Sequence, residues 1–208
     1  MFGRKTNQIG KYNNINILVI ADCHHLKEEE IEKVENLQYD VCFLLGDING
    51  NYLDMILKYI PIEKIYGILG NHDEYGLLES RNITNIHSKI VNINGTKILG
   101  FEGSSRYKTG NIPMYSQEES IKLLKKCEKA DILVSHDSPY EMYSKANDMA
   151  HCGLKGITKY LKKNKVYLNI HGHHHINTQL KLKNITNIIG VNRCALIQFP
   201  TLKKELIF

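Results

Sequence analysis

The sequence predicts one αβ domain whose strands are largely parallel. Three features point to it: short continuous apolar runs rich in β-branched residues, helical segments between them, and an Asn-Gly hairpin signal in mid-chain. The chain's 208 residues and 23.9 kDa suit a single core.

The first run, residues 15–21 (INILVIA), reads as a strand buried on both faces and stops at Asp22, Cys23 and His24. Leu26, Ile31, Val34 and Leu37 then follow at helical spacing. Residues 41–45 (VCFLL) repeat the strand pattern and end in Gly46 and Asp47; a helix is expected over 52–59, closed by Pro61. A third strand, 64–69, runs into Gly70, Asn71, His72 and Asp73. Residues 89–93 and 96–101 flank Asn94-Gly95, a pair suited to a two-residue hairpin. After a Gly, Ser and Tyr-rich loop at 103–115, Ser116 and Glu119 form a capping-box signature for a helix to about Lys129. Residues 131–135 end in His136; a helix over 153–164 precedes a strand at 166–170, which ends in the run His171, Gly172, His173, His174, His175. The tail, 178–208, is expected to add two or three antiparallel strands.

Composition narrows the class. A hydrophobic fraction of 42% and a charged fraction of 24% exclude a disordered or fibrous chain. The net charge of +5 suits an anionic partner without demonstrating one, since Ile, Lys and Asn are abundant throughout. Five cysteines at 23, 42, 127, 152 and 194 form no CxxC pair, so neither a disulfide framework nor a zinc ribbon is indicated. The polar N-terminus, Met1 to Asn14, lacks a signal-peptide apolar run, and no stretch is long enough to span a bilayer. The expectation is a soluble cytoplasmic protein with no membrane partner.

Five strand-like runs end in Asp, Asn or His, ligand types for divalent cations. In parallel αβ sheets the carboxyl ends of the strands lie along one edge, so these side chains are expected to converge. Asp22 and His24, and likewise His173 and His175, are two apart and in an extended chain would face the same way. Gly46, Gly70 and Gly172 stand beside the candidates, where the chain must turn sharply. Seven ligands, Asp22, His24, Asp47, Asn71, His136, His173 and His175, are too many for one ion and suit two sharing a carboxylate.

The ordered series of DxH at 22–24, GD at 46–47, GNHD at 70–73, His136 and GHxH at 172–175 resembles the calcineurin-like metallophosphoesterase superfamily. The resemblance implies a four-layer αββα sandwich, with two mixed β-sheets flanked by helices and a dinuclear metal site at the strand ends. It implies that Asp22, His24 and His175 hold one metal, that Asn71, His136 and His173 hold the other, and that Asp47 bridges them. Two such ions would polarise a phosphoryl oxygen and acidify a bridging water, whose hydroxide attacks phosphorus in line. His72 is positioned to protonate the leaving oxygen as general acid, with Asp73 orienting its ring, and Asn71 also faces the substrate. Asp, Asn and His ligands suit Mn, Fe, Zn, Ni or Co, and two Mn²⁺ ions are the expected occupants.

Other residues are read more plainly. His171 and His174 lie one step out of phase with the ligands and are expected behind them or at the surface, as are His25 and His87. His151, ahead of a helix, is a candidate pocket residue, and Cys23 is expected to be a packed thiol. Arg106, with Tyr107 and Lys108 in SSRYKTG, is a candidate substrate contact. Lys122, Lys125, Lys126 and Lys129 fall largely on one helical face and read as a solvated surface.

Departures from the superfamily's branches guide the functional expectation. No arginine follows Gly46-Asp47, which disfavours the protein phosphatase and diadenosine tetraphosphate hydrolase branch. Only 33 residues follow His175, too few for the capping domain of the repair exonucleases, so long duplex nucleic acid is not expected as a partner. No apolar lid for a lipid substrate appears. The expected activity is hydrolysis of small phosphodiesters, with a nucleotide or cyclic nucleotide as substrate. A phosphomonoesterase is the alternative, and a metal-binding protein-interaction scaffold a more distant one. Homo-oligomerisation stays open.

Overall fold

A computed structural model describes residues 12–143, 148–183 and 185–208; the polar N-terminal stretch up to residue 11 lies outside them. In chain order the elements are β1 (Ile15–Ala21), α1 (Glu28–Ile31), β2 (Val41–Leu44), α2 (Gly50–Tyr59), β3 (Ile65–Gly67), β4 (Thr84–Asn85), β5 (Ile90–Ile93), β6 (Thr96–Phe101), β7 (Ser104–Ser105), β8 (Met114–Tyr115), α3 (Gln117–Lys126), β9 (Ile132–Ser135), α4 (Lys155–Asn164), β10 (Leu168–His171), β11 (Thr178–Leu182), β12 (Thr186–Gly190), β13 (Arg193–Phe199) and β14 (Lys203–Leu206). They form two mixed six-stranded sheets, ordered β14-β13-β1-β2-β3-β4 and β11-β12-β10-β9-β6-β5.

Side-chain alternation explains the layering. Ile17 and Val19 of β1 face Ile98, Val134 and Ile170 of the other sheet in a central core. Leu18 and Ile20 point the opposite way, onto Ile31 of α1 and Leu53 and Ile56 of α2. Leu99 and Leu133 meet Leu124 of α3 and Ile157 and Leu161 of α4. The result is an αββα sandwich, in which each fully buried aliphatic side chain contributes about 1.5–3 kcal/mol.

Local signals behave as their chemistry demands. Asn94 and Gly95 both take positive φ, 49° and 85°, so β5 and β6 form a hairpin. Ser116 Oγ accepts from the Glu119 amide while Glu119 caps the Ser116 amide, which opens α3. Asn49 caps α2 two residues earlier than the apolar pattern indicates. The expected helix after β1 is shortened to α1 plus one 3₁₀ turn, Glu32–Val34, where glutamates at 28, 29, 30 and 32 crowd like charge.

The tail differs from expectation. It holds four strands, and β12 runs parallel to β10 because the β11–β12 hairpin reverses direction after β10 has already reversed into β11. β13 crosses to the other sheet and pairs along the whole of β1, so β13 and β14 supply the outer two strands on one side of that sheet. Among the described residues, no helix is long and apolar enough to cross a membrane.

Candidate active site

The carboxyl ends of β1, β2 and β3 in one sheet meet those of β9 and β10 in the other. Hydrogen bonds between the two sheets fix the meeting: His136 Nδ1 engages the Leu45 carbonyl at 2.7 Å, and the His173 amide donates to Asp22 Oδ2 at 2.9 Å. Gly46 has φ +91°, and an ideal Cβ there would lie 2.2 Å from the Gly70 amide nitrogen. A Cβ on Gly70 would lie 2.1 Å from Asp47 Oδ1. Only glycines let these two turns touch, and that contact sets Asp47 beside Asn71.

All seven expected ligands gather at this rim, by a route other than the one strand periodicity implies. Asp22, Asp47, His173 and His175 adopt left-handed backbone, with φ of 54°, 53°, 66° and 52°. The pairs at 22–24 and 173–175 therefore leave tight turns and do not continue an extended strand, a conformation that costs about 1–3 kcal/mol per residue and persists only where its surroundings enforce it. His24 Nε2 still meets His175 Nε2 at 3.4 Å. His136 Nε2 lies 3.0 Å from Asn71 Oδ1 and 3.4 Å from Asp47 Oδ2. Ligand atoms of Asp47, His136 and His173 all fall within 4.8 Å of one another.

The electrostatics fit cations. Asp22 Oδ1 is buried without a hydrogen-bond partner, and burial pushes its carboxyl up to about 7 despite the pull of His136. Burial alone would depress His136, but Asp47 beside it, with Asp22, raises it to about 10. Burial works against the Asp47 carboxylate, yet His136 holds it well below the usual range. Burial lowers His173 to about 4, so its ring is neutral and offers a lone pair. The Leu45 carbonyl engages His136 Nδ1 at 2.7 Å and the Ala150 carbonyl engages His173 Nε2 at 2.8 Å, each fixing which nitrogen faces the cluster. A carboxylate, amide and imidazole set with an orphaned carboxylate oxygen fits divalent metal ions.

Around this cluster, several expected roles change hands. Asp73 does not reach the His72 ring: its oxygens accept from the amides of Gly70 (2.7 Å), Asp47 (2.8 Å) and Ile48 (3.3 Å), stapling the two ligand turns together. His72 is exposed, its amide donates to Asp47 Oδ1 at 2.9 Å, and its ring sits edge-on to His24 at 6.2 Å. Arg106 turns away from the cluster, its guanidinium 2.8 Å from Glu119 and donating to the Met114 carbonyl. Its neighbour Tyr107 reaches instead, accepting from Asn71 Nδ2 at 3.2 Å. His151 lies at the rim, 5.0 Å ring to ring from His173 and 2.8 Å from Asp148 Oδ2.

Of the out-of-phase histidines, His174 packs its ring against that of His173 at 5.3 Å. His171 is fully buried, with Nε2 2.9 Å from the Tyr143 hydroxyl. His174 Nε2 lies 3.3 Å from Asp137, a buried carboxylate that also accepts from the Ser105 and Ser138 amides. His25 is held through its carbonyl by Arg193, and His87 stacks on Tyr115. Cys23 is packed, and burial raises its thiol to about 12. Asp137, directly after His136, and Asp148, three before His151, are visible in the chain as neighbours of singled-out residues; the carbonyls of Leu45 and Ala150 carry no sequence signal.

The sequence profile of calcineurin-like phosphoesterases matches residues 15–177, from β1 through the last ligand turn. The chain belongs to the calcineurin-like phosphoesterase family. This phosphoesterase is 26% identical over 212 residues to an uncharacterized protein of Haemophilus influenzae, covering 83% of this chain and 90% of that one. Its fold is shared with a dimetal phosphatase from Danio rerio at TM-score 0.60 and 11% identity, covering 93% of this chain and 98% of that one. The protein TT1561 of Thermus thermophilus also has TM-score 0.60, at 14% identity and the same coverage. Family membership makes this a metal-dependent phosphoric ester hydrolase.

Proposed function

We propose that the protein hydrolyses small phosphodiesters, with a nucleotide or cyclic nucleotide as natural substrate, using two divalent cations of which Mn²⁺ is the best match. The observation that carries the diester preference is the orientation of Arg106. A monoester dianion favours a cationic clamp, and Arg106, the arginine expected to contact substrate, is engaged by Glu119 and the Met114 carbonyl. A diester carries a single negative charge and needs less.

When bound, the cations supply charge stabilisation at the phosphoryl oxygens and acidify water. Asp22, His24 and His175 would hold one, Asn71, His136 and His173 the other, with Asp47 between them. His72 protonates the leaving oxygen, its backbone held by the hydrogen bond its N–H donates to Asp47 Oδ1. Tyr107 keeps the Asn71 carboxamide oriented, so that Oδ1 faces His136 while Nδ2 is satisfied. His151, steadied by Asp148, lines the substrate side.

The test is a panel of aryl phosphomonoesters, linear diesters and 2′,3′- and 3′,5′-cyclic nucleotides assayed with Mn²⁺. The reading expects diesters to show the higher kcat/KM. Preference for the monoesters would replace it with a phosphomonoesterase, and no turnover at all with a scaffold.

A further inference from the structure

The protein's positive charge is concentrated on one face. Residues 117–129 and 155–165, which comprise α3, α4 and their C-terminal extensions, carry nine lysines and three glutamates, a net charge of +6. The remainder of the chain has 18 basic and 19 acidic residues and is close to neutral, so this helix pair accounts for the whole +5. All nine lysines are exposed. The ion pairs among the described residues engage none of them.

The two helices pack side by side and leave a groove of about 210 Å³ between them, rimmed by Lys125, Lys159 and Lys163. On the other side of α3 lies a second hollow, of about 450 Å³, where Lys122, Lys126 and Arg106 surround the rings of Tyr75 and Tyr115. Tyr75 is 49% exposed, so a planar group can reach its ring. Two chain segments link this hollow to the candidate metal centre. Tyr75 follows His72 by three residues, and Arg106 precedes Tyr107, whose hydroxyl holds Asn71.

A basic track that begins between two helices, passes aromatic rings and ends at a phosphoester-cleaving site matches the chemistry of a single-stranded polynucleotide. Lysines neutralise successive phosphates and exposed tyrosine rings stack on unpaired bases. A duplex would hide those bases from Tyr75. An anionic membrane would also attract the lysines, but binding there calls for apolar insertion, and no large exposed hydrophobic residue lies on α3 or α4. We propose that the α3–α4 face binds a single-stranded polynucleotide and leads its phosphodiester backbone through the Tyr75–Tyr115 hollow toward the metal centre. Delivery to the centre rests on the phosphodiesterase reading; binding to the lysine face does not.

The experiment is fluorescence anisotropy of fluorescein-labelled oligo(dT) and oligo(rU), each roughly 20 nucleotides long, with chelator-treated protein so that no cleavage intervenes. The wild type is expected to bind at about 50 mM KCl and to weaken by about 10-fold or more by 200 mM. Replacing Lys125, Lys159 and Lys163 together by Gln is expected to cost at least about 10-fold and to flatten the log–log salt slope by about 2, while replacement by Arg restores both. An unchanged thermal midpoint shows that each variant is folded. Absence of binding by the wild type at the lowest salt, equal binding by the Gln variant, or tighter binding to phosphatidylserine vesicles than to either oligonucleotide would overturn the proposal. Failure to hydrolyse small diesters would sink the catalytic reading and leave this measurement standing.

Discussion

His136 and Asp47 belong to opposite sheets, yet His136 Nε2 lies 3.4 Å from Asp47 Oδ2 at the rim where the strand ends meet. Each perturbs the other: Asp47 outweighs burial to keep His136 basic, and His136 outweighs burial to keep Asp47 ionised. This contact joins the two halves of the sandwich, and the other candidate ligands gather around it. Asp47→Asn removes the charge at the shared position. It is expected to lower hydrolysis of an activated diester by at least about 10²-fold and to reduce the metal bound per chain. Elemental analysis beside steady-state kinetics checks this, and full metal content with full activity would contradict it.

His72→Ala separates leaving groups. Loss of a general acid costs about 10²–10⁴ in rate where the departing oxygen is a poor leaving group, and little for nitrophenolate, which needs no proton. Kinetics on an alkyl and an aryl diester give the comparison; an equal loss on both would remove the role from His72.

Tyr107→Phe deletes the hydroxyl that accepts from Asn71 Nδ2. Removing such a support behind a ligand typically costs about 10–100-fold in metal affinity, with little effect on overall stability. A Mn²⁺ titration monitored by activity checks it, and an unchanged titration curve would show that Asn71 is held by other means.

Glu102 offers a test of pH dependence away from the ligands. It is 4% exposed, and burial raises its carboxyl to about 7, although the Tyr115 hydroxyl donates to it at 2.7 Å and pulls the other way. With the folded value above the ordinary 4.5, stability from this group is complete below about pH 4.5 and is lost as pH rises through 7. Glu102→Gln lacks that loss. Relative to wild type it is expected to gain up to about 3 kcal/mol between pH 4.5 and 8. Urea midpoints of the metal-free protein at both pH values measure it, and parallel curves would rule it out.

Much of this is legible in the chain. The runs that become β1, β2, β6 and β9 are apolar on both faces because each strand sits between a central core and a helix layer, and that continuity is visible without coordinates. The site's residue types are visible too, since Asp, Asn and His at the ends of such runs have few structural uses. Three kinds of information are not. The left-handed turns at Asp22 and His173 are set by contacts distant in sequence: Asp22 Oδ2 accepts from the His173 amide, 151 residues away, at 2.9 Å. The second is competition for charge. Residue type and position make Arg106 a reasonable substrate contact and Asp73 a reasonable ring partner, but Glu119 and three backbone amides engage them instead. The place of β13 is hidden because strand order, unlike strand character, depends on which edge is left to fill.

The most direct measurement is a titration of chelator-treated protein with Mn²⁺, counting bound ions per chain while following hydrolysis of an activated phosphodiester. Two ions bound per chain, with activity rising as the second site fills, is the expected result. Turnover that is already complete in the metal-free protein, or a chain that binds no Mn²⁺ at all, would contradict the account.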